Sequence, residues 1–88
     1  MKIKKVLKKE QKNLAKLLPE DLADHLENTN IRSSTRMLDL MEAERAAEVV
    51  SNLNITYQQA LFKQFAPERS AKLVNHMDPD EAVDVLLT

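Results

Sequence analysis

The chain has no cysteine, no glycine and no tryptophan among its 88 residues, and aromatic residues make up 3% of it. Without cysteine it has no disulfides, no thiolate nucleophile and none of the commonest ligands of structural zinc. Without glycine it lacks the loops whose backbone cradles phosphate and the tight turns of β-hairpins. No stretch alternates β-branched or aromatic residues with polar ones over the length of a strand. The run of about 20 apolar residues that crosses a membrane is missing, and so is the apolar core of a signal peptide.

What is present favours helix: 43% hydrophobic residues, chiefly Leu, Val, Ala and Met, with 31% charged. The length fits one domain, because half of it could not bury an adequate core. The formal net charge of −1 conceals a division. Residues 1–16 carry seven lysines (2, 4, 5, 8, 9, 12 and 16) against Glu10, a balance of +6, and the remainder carries −7. The basic segment reads as an amphipathic helix from about Lys4 to Leu17, with Leu7, Leu14 and Leu18 on one stripe. Its lysines form a solvated face or a contact for anionic lipid or nucleic acid. The aromatic interleaving of a single-strand groove is missing, so the solvated face is preferred and no nucleic-acid partner is assigned.

The strongest signal is a 24-residue repeat. Leu17-Leu18-Pro19-Glu20, Met41-Glu42-Ala43-Glu44 and Phe65-Ala66-Pro67-Glu68 share a register, as do Ala23, Ala47 and Ala71, and Leu26, Val50 and Val74. Pro79 follows Pro67 by half a repeat, so each repeat divides into two short helices. Pro19, Pro67 and Pro79 suit the first helical position. Asp78-Pro79-Asp80-Glu81 and Thr56-Tyr57-Gln58-Gln59 have the form of capping boxes and read as helix starts. Ser33, Ser34 and Thr35 read as capping or beginning a helix. The expected fold is all-α: a right-handed superhelix of short helices, an armadillo-like stack over 17–88, preceded by the basic helix of 1–16. Ala23, Ala47 and Ala71 are expected to allow close approach. Leu17, Leu26, Met41, Val50, Leu53, Leu61, Phe62, Phe65, Leu73, Val74, Met77 and Leu86 are expected to form the core. Met37, Met41 and Met77 could instead form an adaptable binding stripe, but their helical spacing favours core.

No catalytic constellation can be assembled. The serines and Thr35 have no neighbouring glycine turn, and His25 and His76 occupy non-equivalent repeat positions near helix ends. The chain is therefore read as a binding or regulatory module and not an enzyme. The acids remain. Asp80 and Asp84 are four apart and share a helix face, and Glu48 lies on the first-half helix of the middle repeat. Such acids can simply complement a helix dipole or face water, or they can supply oxygen ligands to a hard cation that keeps most of its waters.

The segments Leu18–Glu27, Glu44–Leu53, Ala66–Val74 and Met77–Leu86, in this order and at this spacing, resemble the cytoplasmic N-terminal domain of the MgtE magnesium transporters. The resemblance covers about residue 17 to the end. It implies a Mg²⁺-sensing domain at the cytoplasmic face of the inner membrane, followed in its parent by CBS domains and a dimeric transmembrane channel. Mg²⁺ bound between the acidic domain and the CBS region would close the pore, so the CBS and transmembrane domains are the implied partners, with no membrane insertion by this domain. Carried over by position, the implied metal ligands are Glu48, Asp80 and Asp84, with weak Mg²⁺ affinity until another domain completes the site. The stop at Thr88, about two turns after Pro79 without a capping signal, reads as the edge of an excised domain. A competing reading is a helical-repeat scaffold or chaperone module of the flagellar apparatus.

Overall fold

A computed structural model describes residues 17–86. Those residues form six short helices and no strand: α1 (Pro19–Glu27), α2 (Ile31–Asp39), α3 (Ala43–Ser51), α4 (Ile55–Gln64), α5 (Pro67–Val74) and α6 (Pro79–Leu86). Successive helix starts are separated by the same interval, half of the sequence repeat. The all-helical repeat expected from the sequence is therefore present, and its unit is the half-repeat. The expected basic helix of residues 1–16 lies outside the described residues. Leu18, assigned to its apolar stripe, is an extended N-cap residue and is 60% exposed.

The connections explain how a chain without glycine can turn between all these helices. Several helices leave through a tightened last turn, with Thr29, Met41, Leu53 and Met77 donating their amides to Leu26, Leu38, Val50 and Val74, three residues back. One residue further on, where the next helix is about to start, the chain is extended. Here ψ lies between 144° and 154° at Leu18, Glu42, Ala66, Asn30 and Asn54. No described residue has positive φ, so no left-handed residue is required and glycine would add only unfolded-state entropy.

The two halves of each repeat start differently. First-half helices open on Pro19, Ala43 and Pro67 without a side-chain cap. Second-half helices α2 and α4 are capped by asparagine, Asn30 Oδ1 accepting from the Ser33 amide and Asn54 Oδ1 from the Tyr57 amide, both at 2.9 Å. This corrects the capping box assigned to Thr56: α4 begins at Ile55, and Thr56 lies inside its first turn. Likewise Ser33, Ser34 and Thr35 neither cap nor begin α2, whose first residue is Ile31. Asn54→Ala is therefore expected to lower stability by about 1 kcal/mol, and Thr56→Ala by less than about 0.5 kcal/mol. Urea denaturation of the two variants decides between the caps.

Helices of eight to ten residues do not persist alone in water, so stacking must hold them. They stack in two rows, α1 on α3 on α5 and α2 on α4 on α6, giving a body of 42 × 23 × 21 Å. Leu22, Leu26, Leu38, Val49, Val50, Leu61 and Leu73 are fully buried between the rows. Met77 is buried, and Met37 and Met41 pack against the same core, so the methionines serve packing. Ser34 and Tyr57 join neighbouring repeats: their hydroxyls are 2.6 Å apart, and Tyr57 donates to the Thr29 carbonyl at 2.8 Å.

Two expectations about burial fail together. Ala71 is exposed although Ala23 and Ala47 are each 1% exposed. Leu86 is 60% exposed although Leu38, two repeats earlier, is fully buried. Both belong to the last layer, α5 and α6, which has no following layer among the described residues. Repeat position sets the direction of a side chain, and a neighbour is still needed to bury it.

Candidate functional site

α3 and α6 belong to different rows, and one side-chain hydrogen bond ties them: Ser51 Oγ donates to Glu81 Oε2 at 2.8 Å. This bond organises the acidic side of the stack. Glu48 lies about one helical turn before Ser51, Asp80 adjoins Glu81, and Asp84 lies about one turn beyond Asp80. All three are exposed.

The bond also closes one wall of a groove of about 370 Å³, lined by Pro19, Glu20, Glu48, Ser51, Asn52, His76, Asp78 and Glu81. Four carboxylates line it with one imidazole and no lysine or arginine. Such a concentration of one sign in a concave surface attracts cations and repels other acidic surfaces. Asn52 Nδ2 donates to the Glu48 carbonyl at 2.8 Å, ending α3 with an amide cap, as Asn28 ends α1 by donating to the Asp24 carbonyl at 2.9 Å. The third member of that series is His76, which brings an imidazole to the groove.

The structure separates the three sequence-derived candidates into two places. Glu48 lines the groove together with Glu20, Asp78 and Glu81, whereas Asp80 and Asp84 lie outside its lining on the exposed face of α6. Asp80 and Glu81 occupy the first turn of α6, where carboxylates favourably meet the helix dipole. Asp84 is held through its backbone, its carbonyl accepting from Gln59 Nε2 at 3.3 Å. No group of three or more His, Cys, Asp or Glu side chains converges to hold a metal ion among the described residues.

Sequence reasoning passes over Glu20, Asp78 and Glu81 as site residues. Glu20 carries a usable signal, since Glu44 and Glu68 repeat it at 24-residue intervals. Asp78 and Glu81 read in the sequence only as parts of a capping pattern. Two arginines are passed over as well. Arg45, the third residue of α3, donates to the Leu17 carbonyl, and Arg69, the third residue of α5, donates to the carbonyls of Met41 and, at 2.7 Å, of Leu38. Arg45 thus ties α3 to the segment entering α1, and Arg69 ties α5 to the end of α2 and the turn that follows it.

No helix among the described residues is long and apolar enough to cross a membrane. A stack of paired short helices with an acidic side defines a helical-repeat domain. Residues 5–87 match the family model described as the MgtE intracellular N domain, and the chain belongs to that family. It is an intracellular N-terminal domain of the magnesium-transporter type, a family of transporter domains and not of enzymes. No curated protein and no solved structure matches the chain significantly.

Proposed function

We propose that this domain is a Mg²⁺ sensor that regulates a magnesium transporter by a cation-bridged contact with the CBS domains of its parent protein. The observation that carries the reading is the placement of Glu48, Asp80 and Asp84. They are exposed on two helices held together by the Ser51–Glu81 bond, in a chain whose family is that of the transporter's intracellular N domain.

The physical mechanism is a carboxylate surface that repels a second acidic surface. Glu48 in the groove, and Asp80 and Asp84 on the exposed face of α6, offer oxygen atoms to solvent, where a hydrated divalent cation can be shared with a partner. Docked and undocked arrangements then differ in the number of cation ligands, so cation concentration shifts their populations. On this reading Mg²⁺ binds the domain weakly alone, because one or two carboxylates supply only part of a site. Stable binding requires the second surface, which makes the response depend on docking.

Titration calorimetry with Mg²⁺ tests this on the domain alone and in the presence of the CBS region of an MgtE transporter. The expected result is an affinity at least about tenfold higher with the CBS region, a coupling of about 1.4 kcal/mol or more. Glu48→Gln combined with Asp80→Asn should remove that gain while leaving the helical signal intact. An affinity that the CBS region leaves unchanged, or a gain that survives both substitutions, overturns the sensor reading.

A further inference from the structure

The seams between the two rows are tied differently along the stack. Where the end of α1 meets the start of α4, both bonds have a main-chain partner: the Tyr57 hydroxyl donates to the Thr29 carbonyl and the Asn54 amide to Glu27 Oε1, each at 2.8 Å. One repeat later, where the end of α3 meets the start of α6, Ser51 stands in the place of Glu27 and Glu81 in that of Tyr57. The Leu53 carbonyl, which corresponds to that of Thr29, is taken by Gln58 Nε2 at 2.9 Å. Here the tie joins two half-buried side chains, Ser51 Oγ donating to Glu81 Oε2 at 2.8 Å. A main-chain partner moves only with its helix, whereas Ser51 and Glu81 can each turn about their own side-chain torsions.

The place of this tie in the site gives it a consequence. Glu48 precedes Ser51 by three residues, Asp80 adjoins Glu81 and Asp84 follows it by three, so the bond joins the turn bearing Glu48 to the turn bearing Asp80. Glu81 shares the groove with Glu20, Glu48 and Asp78, whose like charge repels it. A hydroxyl that donates to Glu81 works against that repulsion. The other holds on α6 come from its own row: it stacks on α4, and Gln59 Nε2 of α4 reaches the Asp84 carbonyl at 3.3 Å.

We infer that Ser51 is a positioning residue: by holding Glu81 across the α3–α6 seam it fixes α6, and with it Asp80 and Asp84, relative to Glu48. Without the tie α6 keeps its stacking on α4 and takes a range of tilts towards α3. The use of this placement rests on the sensor reading, because a fixed spacing of these acids matters when a cation is shared between them and a second surface.

The placement is measured without any cation. The chain has no cysteine, so Glu44→Cys on α3 and Val83→Cys on α6, both exposed and outside the groove, can carry nitroxide labels whose separation is read by double electron–electron resonance. One narrow distance is expected with Ser51 present and in Ser51→Thr, and a distribution at least about twice as broad in Ser51→Ala. Glu81→Gln keeps an acceptor oxygen for the hydroxyl and should stay narrow, whereas Glu81→Ala parts the pair from the other side and should broaden. If neither alanine variant broadens the distribution, or if Glu81→Gln broadens it as much as Glu81→Ala, the inference is overturned irrespective of Mg²⁺. Calorimetry with the CBS region reads the use of the placement: Ser51→Ala should lose at least about fivefold of the Mg²⁺ affinity gained there, and Ser51→Thr should keep it. A gain that Ser51→Ala leaves intact overturns the positioning role. No gain in the unsubstituted chain overturns the sensor reading instead, and the label distances still decide whether Ser51 places α6.

Discussion

Leu38→Ala should cost about 2–5 kcal/mol, and Leu86→Ala less than about 0.5 kcal/mol, although both remove a leucine from the same repeat position. Leu38 is fully buried in α2, with α4 stacked against it, whereas Leu86 of α6 is 60% exposed. Truncating Leu38 loses the transfer energy of its side chain and leaves a cavity bounded by helices already fixed by their own neighbours, so relaxation is incomplete. Stability runs at about 0.05–0.15 kcal/mol per residue, so in a chain this short the loss removes a large share of the reserve. The Leu38 variant should therefore populate the unfolded state measurably without denaturant. Urea titration measures both variants, with the midpoint falling sharply for Leu38→Ala at nearly constant slope and scarcely moving for Leu86→Ala. Equal costs at the two positions would mean that α6 is covered, contrary to its exposure.

The same pair shows which parts of the fold were legible in the sequence. Proline at 19, 67 and 79 marks helix starts because its fixed φ and missing amide suit that position alone in a helix, and all three begin one. The repeat register followed from those anchors, and with it most of the core. Burial at Ala71 and Leu86 was not legible, because a periodic pattern reports which way a residue points and is silent on whether anything lies opposite. Thr56 failed for a different reason. Its spacing to Gln59 imitates a capping box, yet Asn54 stands at the repeat position of Asn30 and takes the amide of Tyr57. The repeat was the better guide there, since a structural role recurs at a fixed interval when the backbone does.

The candidate site was legible to the extent that it lies on single helices. Glu48, Asp80 and Asp84 are exposed, as acids on the outer faces of an amphipathic stack should be. The groove that Glu48 shares with Glu20, Asp78 and Glu81 draws on residues from several segments, and no fixed spacing links them. The Ser51–Glu81 bond that orders it spans 30 residues and crosses from one row to the other. Cross-row contacts of this kind depend on stacking geometry. Whatever holds α5 and α6 in register therefore also sets the distance between the acids of α3 and those of α6.

Arg69→Ala should have the second large effect, about 2–4 kcal/mol, because its guanidinium serves carbonyls and not chiefly an acid. The carbonyls of Leu38 and Met41 lie at and beyond the end of α2, where helical acceptors lack intrahelical donors. Removing the planar donor leaves these oxygens dependent on weaker bonds, such as the Met41 amide to Leu38 at 3.1 Å. The ion pair is a lesser contribution: Nε lies 3.8 Å from Asp39 Oδ1, makes no hydrogen bond, and Asp39 is 47% exposed. An exposed pair of that kind is worth about 0–1 kcal/mol. Asp39→Asn should then change the urea midpoint very little, and added salt should weaken the parent chain only slightly. Arg69→Lys should recover less than half of the loss, since both bonds come from Nη2 at the tip of the planar guanidinium, and the shorter, strongly hydrated ammonium does not hold its N–H groups at that point. A full rescue by lysine, or an Asp39→Asn cost equal to that of Arg69→Ala, would assign the effect to charge. With α5 loosened by Arg69→Ala, α6 loses its place against α4, and Asp80 and Asp84 lose their fixed relation to Glu48.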